Sequence, residues 1–158
     1  MQDRSGLSDG QTAARRQAMA VLAGATAAEL RDGLARLPEP PQPSELRPPE
    51  TGLVMLRGRI AGQGARFNIG EATVTRASVR LSSGEVGASY LLGRDAARAR
   101  LAALVDALWQ RADFRDAVEA QILSPSRARQ DAERAARAAH TAATKVDFFT
   151  LVRGEDGK

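Results

Sequence analysis

Apolar residues along this chain change period several times, and the changes mark out its elements. From Thr12 to Leu22, Ala18, Met19 and Leu22 fall at helical spacing, and a second helix is predicted from Thr26 to Leu37 with Leu30, Leu34 and Leu37 on one stripe. Thr26 followed by Glu29 has the capping-box arrangement, in which hydroxyl and carboxylate each satisfy a backbone N–H that the helix leaves unpaired. Residues 1–10 are polar and expected to fray.

The period then changes to that of strands. Leu53–Ile60 alternates until Gly62-Gln63-Gly64 breaks it, Phe67–Ile69 fits a short strand before Gly70, and Ala72–Leu81 is the clearest strand of the chain. On that strand Ala77, Val79 and Leu81 share one face while Arg76, Ser78 and Arg80 share the other. Glu85–Leu92 follows, with Val86, Ala88, Tyr90 and Leu92 together. The two apolar sets share a side if a two-residue Ser83-Gly84 turn joins the strands. That register places Arg80 opposite Gly87 and Ser78 opposite Ser89. The result is a flat polar face crossed by Arg76 and Arg80, suited to docking.

Helical spacing returns from Asp95 to about Ala112, with Leu101, Leu104, Val105, Leu108 and Trp109 on one stripe. Phe114–Leu123 suggests another short helix. Ser124-Pro125 then offers an N-cap and a first helical residue for a long helix to about Lys145. The apolar stripe of that helix is all alanine (Ala128, Ala132, Ala135, Ala136, Ala139, Ala143), which allows close approach but contributes little burial, so contact with another chain is expected. Val146–Val152 reads as a terminal strand apolar enough to need burial in its own sheet or a partner's.

Six of the seven prolines lie between Pro38 and Pro49, which excludes regular helix there. The expected organisation is therefore an N-terminal helical arm (1–37), a proline-rich linker (38–49) and a body (50–158). The body carries a small antiparallel sheet, helices and the terminal strand, an α+β fold.

Composition narrows the chemistry. The 158 residues suffice for one domain with a real core, though aromatics make up only 4% and alanine supplies much of the apolar content. No cysteine is present, so disulfides, thiolate metal sites and cysteine catalysis are excluded, and His140 alone cannot build a histidine-rich metal site. No apolar run approaches bilayer length and the N-terminus lacks a signal-like apolar region, so a cytoplasmic protein with no membrane partner is expected. The net charge is +4, and basic groups are almost all arginine, the side chain suited to bidentate contact with carboxylate or phosphate. The 19 acidic residues are interspersed and stacking aromatics are scarce, so no nucleic-acid partner is expected.

The segment from Gly52 to Asp95 is where function is concentrated. It carries Arg57, Arg59, Arg66, Arg76, Arg80 and Arg94, which are either solvated or meet a partner chain, a phosphate or a nucleic acid. No Gly-rich loop fits a dinucleotide or Walker pattern, and Glu50, Glu71, Glu85 and Asp95 form no recognisable acid–base pair. No catalytic and no metal-binding residue is assigned. Arg57, Arg59, Arg76, Arg80, Arg94 and Asp95 are the candidate binding residues, for an interface or for phosphate.

Specific runs then resemble a known family. They are Glu50-Thr51-Gly52-Leu53-Val54, Arg57-Gly58-Arg59, Phe67-Asn68-Ile69-Gly70-Glu71, Thr73-Val74-Thr75-Arg76, Val79-Arg80-Leu81, Gly93-Arg94-Asp95, Asp106-Ala107-Leu108 and the terminal Val146–Gly154. With Arg16, Met19 and Val21-Leu22-Ala23 they resemble, in collinear order over about residues 12–154, the PhnG family of small subunits of the bacterial carbon–phosphorus lyase core complex. The family often has tryptophan where Ala18 stands, and its linker is less proline-rich. The resemblance implies a role in phosphonate catabolism under phosphate starvation. There, ATP and methylphosphonate yield alpha-D-ribose 1-methylphosphonate 5-triphosphate with release of adenine. It implies a hetero-oligomer with other core subunits, in which this chain supports assembly and a larger subunit performs the transfer. Alternatively, its arginines bind triphosphate or phosphonate at a shared active site. No cofactor is expected in this chain: the complex uses ATP, and the iron–sulfur cluster of the later bond-breaking step belongs to another subunit.

Overall fold

A computed structural model describes residues 9–60 and 64–144 of the chain. Helices α1 (Asp9–Gly24) and α2 (Ala27–Leu34) precede three strands, β1 (Pro43–Arg59), β2 (Arg66–Leu81) and β3 (Val86–Leu92). Then come α3 (Ala96–Trp109), α4 (Ala112–Val118), a π-helical turn (Glu119–Leu123) and α5 (Ser124–Ala143). The strands form an antiparallel sheet in the order β1-β2-β3, and the class is the α+β expected. The anticipated terminal strand Val146–Val152 lies outside the described residues.

Helix α3 lies on one face of the sheet, and α1 and α2 pack against α3. The core joins Ala18, Val21, Leu22 and Leu30 from the first two helices to Val79, Leu81, Leu91, Val105, Leu108, Ile122 and Leu123. The expected separate arm therefore contributes to the same core as the sheet. The Thr26 capping box forms as predicted, with Thr26 N–H donating to Glu29 at 2.7 Å and Glu29 N–H to the Thr26 hydroxyl at 3.2 Å.

The proline-rich stretch is not a linker over its full length. From Pro43 it is the first part of β1, paired with β2. Pro48 and Pro49 fall within the register shift between Arg47 and Glu50, next to another between Glu45 and Arg47. Bulges on an edge strand are where a residue without an N–H is tolerated, because the ladder bond it cannot make is missing there anyway.

The β2–β3 register differs by one residue from the predicted one. Leu81 N–H donates to Glu85 O and Gly84 N–H to Leu81 O, both at 2.9 Å, closing a three-residue Ser82-Ser83-Gly84 loop. Gly84 takes the left-handed conformation (φ 111°) that such a loop needs. Val79 therefore faces Gly87, Ala77 faces Ser89, and Arg76 faces Tyr90. Gly87, Ser89 and Leu91 turn inward, and Tyr90 and Leu92 turn out to solvent.

The cause is the approach of α3. A Cβ at Gly87 would lie 2.0 Å from Ala103 O and 2.5 Å from Ala107 N. Ala99, Ala102, Ala103 and Ala107 are buried on α3 along with Val105, Leu108 and Trp109 of the predicted stripe, while Leu101 and Leu104 are only partly buried. Small residues on both partners bring helix and sheet close, and Leu101 and Leu104 are left at the margin of the core.

Helices α4 and α5 run on through the π turn, whose wider hydrogen bonding (Ser124 N–H to Glu119 O) accommodates Pro125 without a break. Ser124 is thus no N-cap. Beyond Gln130 every described residue of α5 is exposed, its alanine stripe included.

Candidate functional site

One arginine–carboxylate pair organises the inner side of the sheet. Arg15 on α1 holds Asp106 on α3 in a bidentate pair, Nε to Oδ1 at 3.0 Å and Nη2 to Oδ2 at 2.7 Å. The Asp106 side chain is 1% exposed. Asp106 Oδ2 also accepts the Ala88 N–H at 2.9 Å, and Val86 O accepts from Arg15 and from the Gln110 amide. Three elements meet at one carboxylate, both of whose oxygens accept hydrogen bonds. Hydrogen bonding from Asp106 raises the Arg15 pKa further, against desolvation, so the guanidinium stays charged. Sequence reasoning missed this pair as a site. Its signal was a single aspartate inside the most apolar run of α3.

The predicted arginines are all exposed, Arg76 and Arg80 on the outer side of the sheet. Arg76 is paired with Glu50 (Nη2 to Oε2 at 3.0 Å), and Glu50 is also within 3.7 Å of Arg47. Arg57, Arg80 and Arg94 have no ion-pair partner among the described residues, and Arg59 donates only to Gly64 O at 3.3 Å. Asp95 is the N-cap of α3, accepting the Arg98 N–H at 2.8 Å. The structure does not gather these residues into one site. Arg76 borders a hollow of about 200 Å³ with Val74 and Tyr90, and Arg94 one of about 350 Å³ with Thr73. Both hollows adjoin Thr51, Gly52 and Leu53. The expected company of Arg76 and Arg80 is corrected too: Ser78 shares their face, but Gly87 and Ser89 lie on the inner one, replaced by Val86, Ala88 and Tyr90.

From Gly52 onward β1 and β2 leave the helices and continue as a two-stranded ribbon. A register shift between Leu56 and Arg57 leaves Ile69 as an extra residue on β2. Past it, Gly58 pairs with Phe67, Arg57 with Asn68 and Arg59 with Arg66. Ile69 lies over Gly58, where its Cδ1 would be 2.3 Å from an added Cβ. One ribbon face therefore carries Leu56, Phe67 and Ile69, and the other Leu53, Met55, Arg57, Arg59 and Arg66. Phe67–Ile69 and Ala72–Leu81, predicted as separate strands, are one bulged strand.

The carboxylates near the sheet do structural work. Glu85 accepts from the Ser83 hydroxyl, which lowers its pKa, and lies 3.7 Å from Arg111. Glu45 pairs with Arg100. Among the described residues no three His, Asp or Glu side chains cluster to hold a metal ion, and His140 is exposed on α5. No helix among them is long and apolar enough to cross a membrane.

The sequence profile of the family described as "Phosphonate metabolism protein PhnG" matches residues 13–154. A curated relative from Rhizobium meliloti (strain 1021), named alpha-D-ribose 1-methylphosphonate 5-triphosphate synthase subunit PhnG, is 55% identical over 148 residues, covering 94% of each chain. A collinear match over nearly the whole of both chains, through core and ribbon alike, places this one: it belongs to the PhnG family.

Proposed function

We propose that this chain is an assembly subunit of an alpha-D-ribose 1-methylphosphonate 5-triphosphate synthase. It would act in phosphonate metabolism in the cytoplasm, supporting the transfer in which methylphosphonate displaces adenine from ATP. The carrying observation is the 55% identity to a synthase subunit over 94% of both chains. An assembly role is supported by the apolar ribbon held away from the core and by carboxylates already engaged in structural bonds. The transfer itself, the ATP site and the iron–sulfur chemistry of the later step fall to other subunits.

A second reading rests on Arg57, Arg80 and Arg94, which carry charge with no ion-pair partner among the described residues. They would reach a triphosphate or phosphonate at a site shared with a neighbour. The test is a cell lacking its own copy of this subunit and fed methylphosphonate as sole phosphorus source. Supplying this chain restores growth, and the purified complex then contains it. With Arg57, Arg80 or Arg94 replaced singly by alanine, an intact complex keeps its activity under the assembly reading. Lost activity in an intact complex selects the second reading, and absence of the chain from any synthase rejects both.

A further inference from the structure

We propose that the β1–β2 ribbon is a docking element that inserts into an apolar cleft with an acidic rim on another subunit of the synthase. The inference rests on the proposed function and names the surface and the chemistry of its partner.

Leu56 (43% exposed), Phe67 (45%) and Ile69 (63%) form an apolar face that no other described residue covers, and Leu53 and Met55 are exposed on the arginine side. A two-stranded ribbon open on both faces and along both edges is marginal in water, and apolar patches of this kind mark association surfaces. Charge selects the partner. Between Leu53 and Thr73 the described residues hold Arg57, Arg59 and Arg66 against Glu71 alone, and none of these arginines has a carboxylate partner among them.

Two other occupants fit less well. A second copy paired through the apolar face would turn the arginines of both copies outward and leave their charge without a partner. An anionic bilayer would bury the apolar face but turn the arginines away from its headgroups, because the bulge has sorted the two sets onto opposite sides. A cleft that closes over both faces, apolar within and acidic at its rim, satisfies both at once.

The experiment uses the full-length chain co-expressed with the remaining synthase subunits, with affinity for the complex measured at two salt concentrations. Replacing Phe67 and Ile69 together by serine lowers affinity at least about tenfold, while helical circular dichroism is unchanged. Reversing Arg57, Arg59 and Arg66 to glutamate also weakens association and inverts its salt dependence, because salt then screens repulsion from the acidic rim. This second variant leaves the core untouched and decides the matter should the first fail to fold. Assembly of both variants at unaltered affinity overturns the docking role alone. So does a ribbon variant whose only effect is on self-association of the chain or on binding to phosphatidylserine vesicles. Failure of the unaltered chain to join any synthase overturns the functional reading, and this inference with it.

Discussion

The inner and outer faces of the sheet come from the same strands but were assigned by different forces. Inward point Gly87, Ser89 and a run of α3 alanines, with Leu91, Val79 and Leu81 between them. Outward point Tyr90, Leu92, Phe67 and Ile69, which are larger and at least as apolar. Hydrophobicity alone would have put the second set inside. Close approach of helix to sheet, fixed by Gly87 and by the Arg15–Asp106 pair, outranked it. An apolar face left out after a core has filled is the pattern expected of a chain whose remaining burial comes from a neighbour.

That contrast can be broken most severely at Asp106. Asp106→Ala leaves Arg15 part-buried without its anion and Ala88 N–H without its acceptor, at a cost of about 3–5 kcal/mol. Chemical denaturation of the variant reads it directly, and a loss below about 1 kcal/mol refutes the anchoring role. Gly87→Ala comes next. The added methyl meets α3 backbone and forces the helix outward, for about 1–3 kcal/mol and a lowered Tm.

A smaller effect is expected where α5 meets the α1–α2 corner. Arg129 hydrogen bonds, then those from Thr26, hold the Glu29 carboxyl below its ordinary pKa against desolvation. A depressed carboxylate pKa contributes stability in full above the unfolded glutamate value of about 4.3. The contribution is lost as pH falls through the lower folded value. Glu29→Gln, which keeps the capping-box acceptor but removes the charge facing Arg129, costs about 1 kcal/mol at neutral pH and flattens the acid limb of the stability curve. An acid limb unchanged from that of the unaltered chain would show that Glu29 does not titrate with folding.

On the outer side the expected effects on stability are least. Arg76→Ala removes an exposed pair with Glu50 and costs under about 1 kcal/mol. A larger loss on thermal unfolding would mean that the outer face is structurally committed and not reserved for a partner.

How much of this could be read beforehand depended on how local each determinant was. The capping box needs only Thr26 and Glu29, and it was legible. The α+β class followed from the alternation of Ala72–Leu81 set against the helical spacing of α3. The hairpin register was not legible, because Ser83-Gly84 serves a two-residue turn as readily as Ser82-Ser83-Gly84 serves a three-residue one. The apolar count favoured the wrong choice. What decided it was a contact between Gly87 and α3, which no short window contains. Arg15 and Asp106 stand 91 positions apart, so nothing local joins them. The candidate arginines were expected to meet an interface or a phosphate, but their grouping was not legible: the bulge at Ile69, invisible to simple alternation, puts Arg57, Arg59 and Arg66 on one face and leaves Arg76 and Arg94 elsewhere.

The extra residue at Ile69 has a consequence for how the chain can change. Strand β2 belongs to two hairpins at once, and each counts residues from its own loop. The loop after Leu81 sets the phase at the core, whereas the segment between Arg59 and Arg66 sets the phase at the ribbon tip. The two counts disagree by one, and Ile69 absorbs the difference. Lengthening or shortening the tip by a residue would be taken up at that joint and travel no further. The exposed end of the ribbon can thus vary in length while Val74 to Leu81 keeps its place against α3.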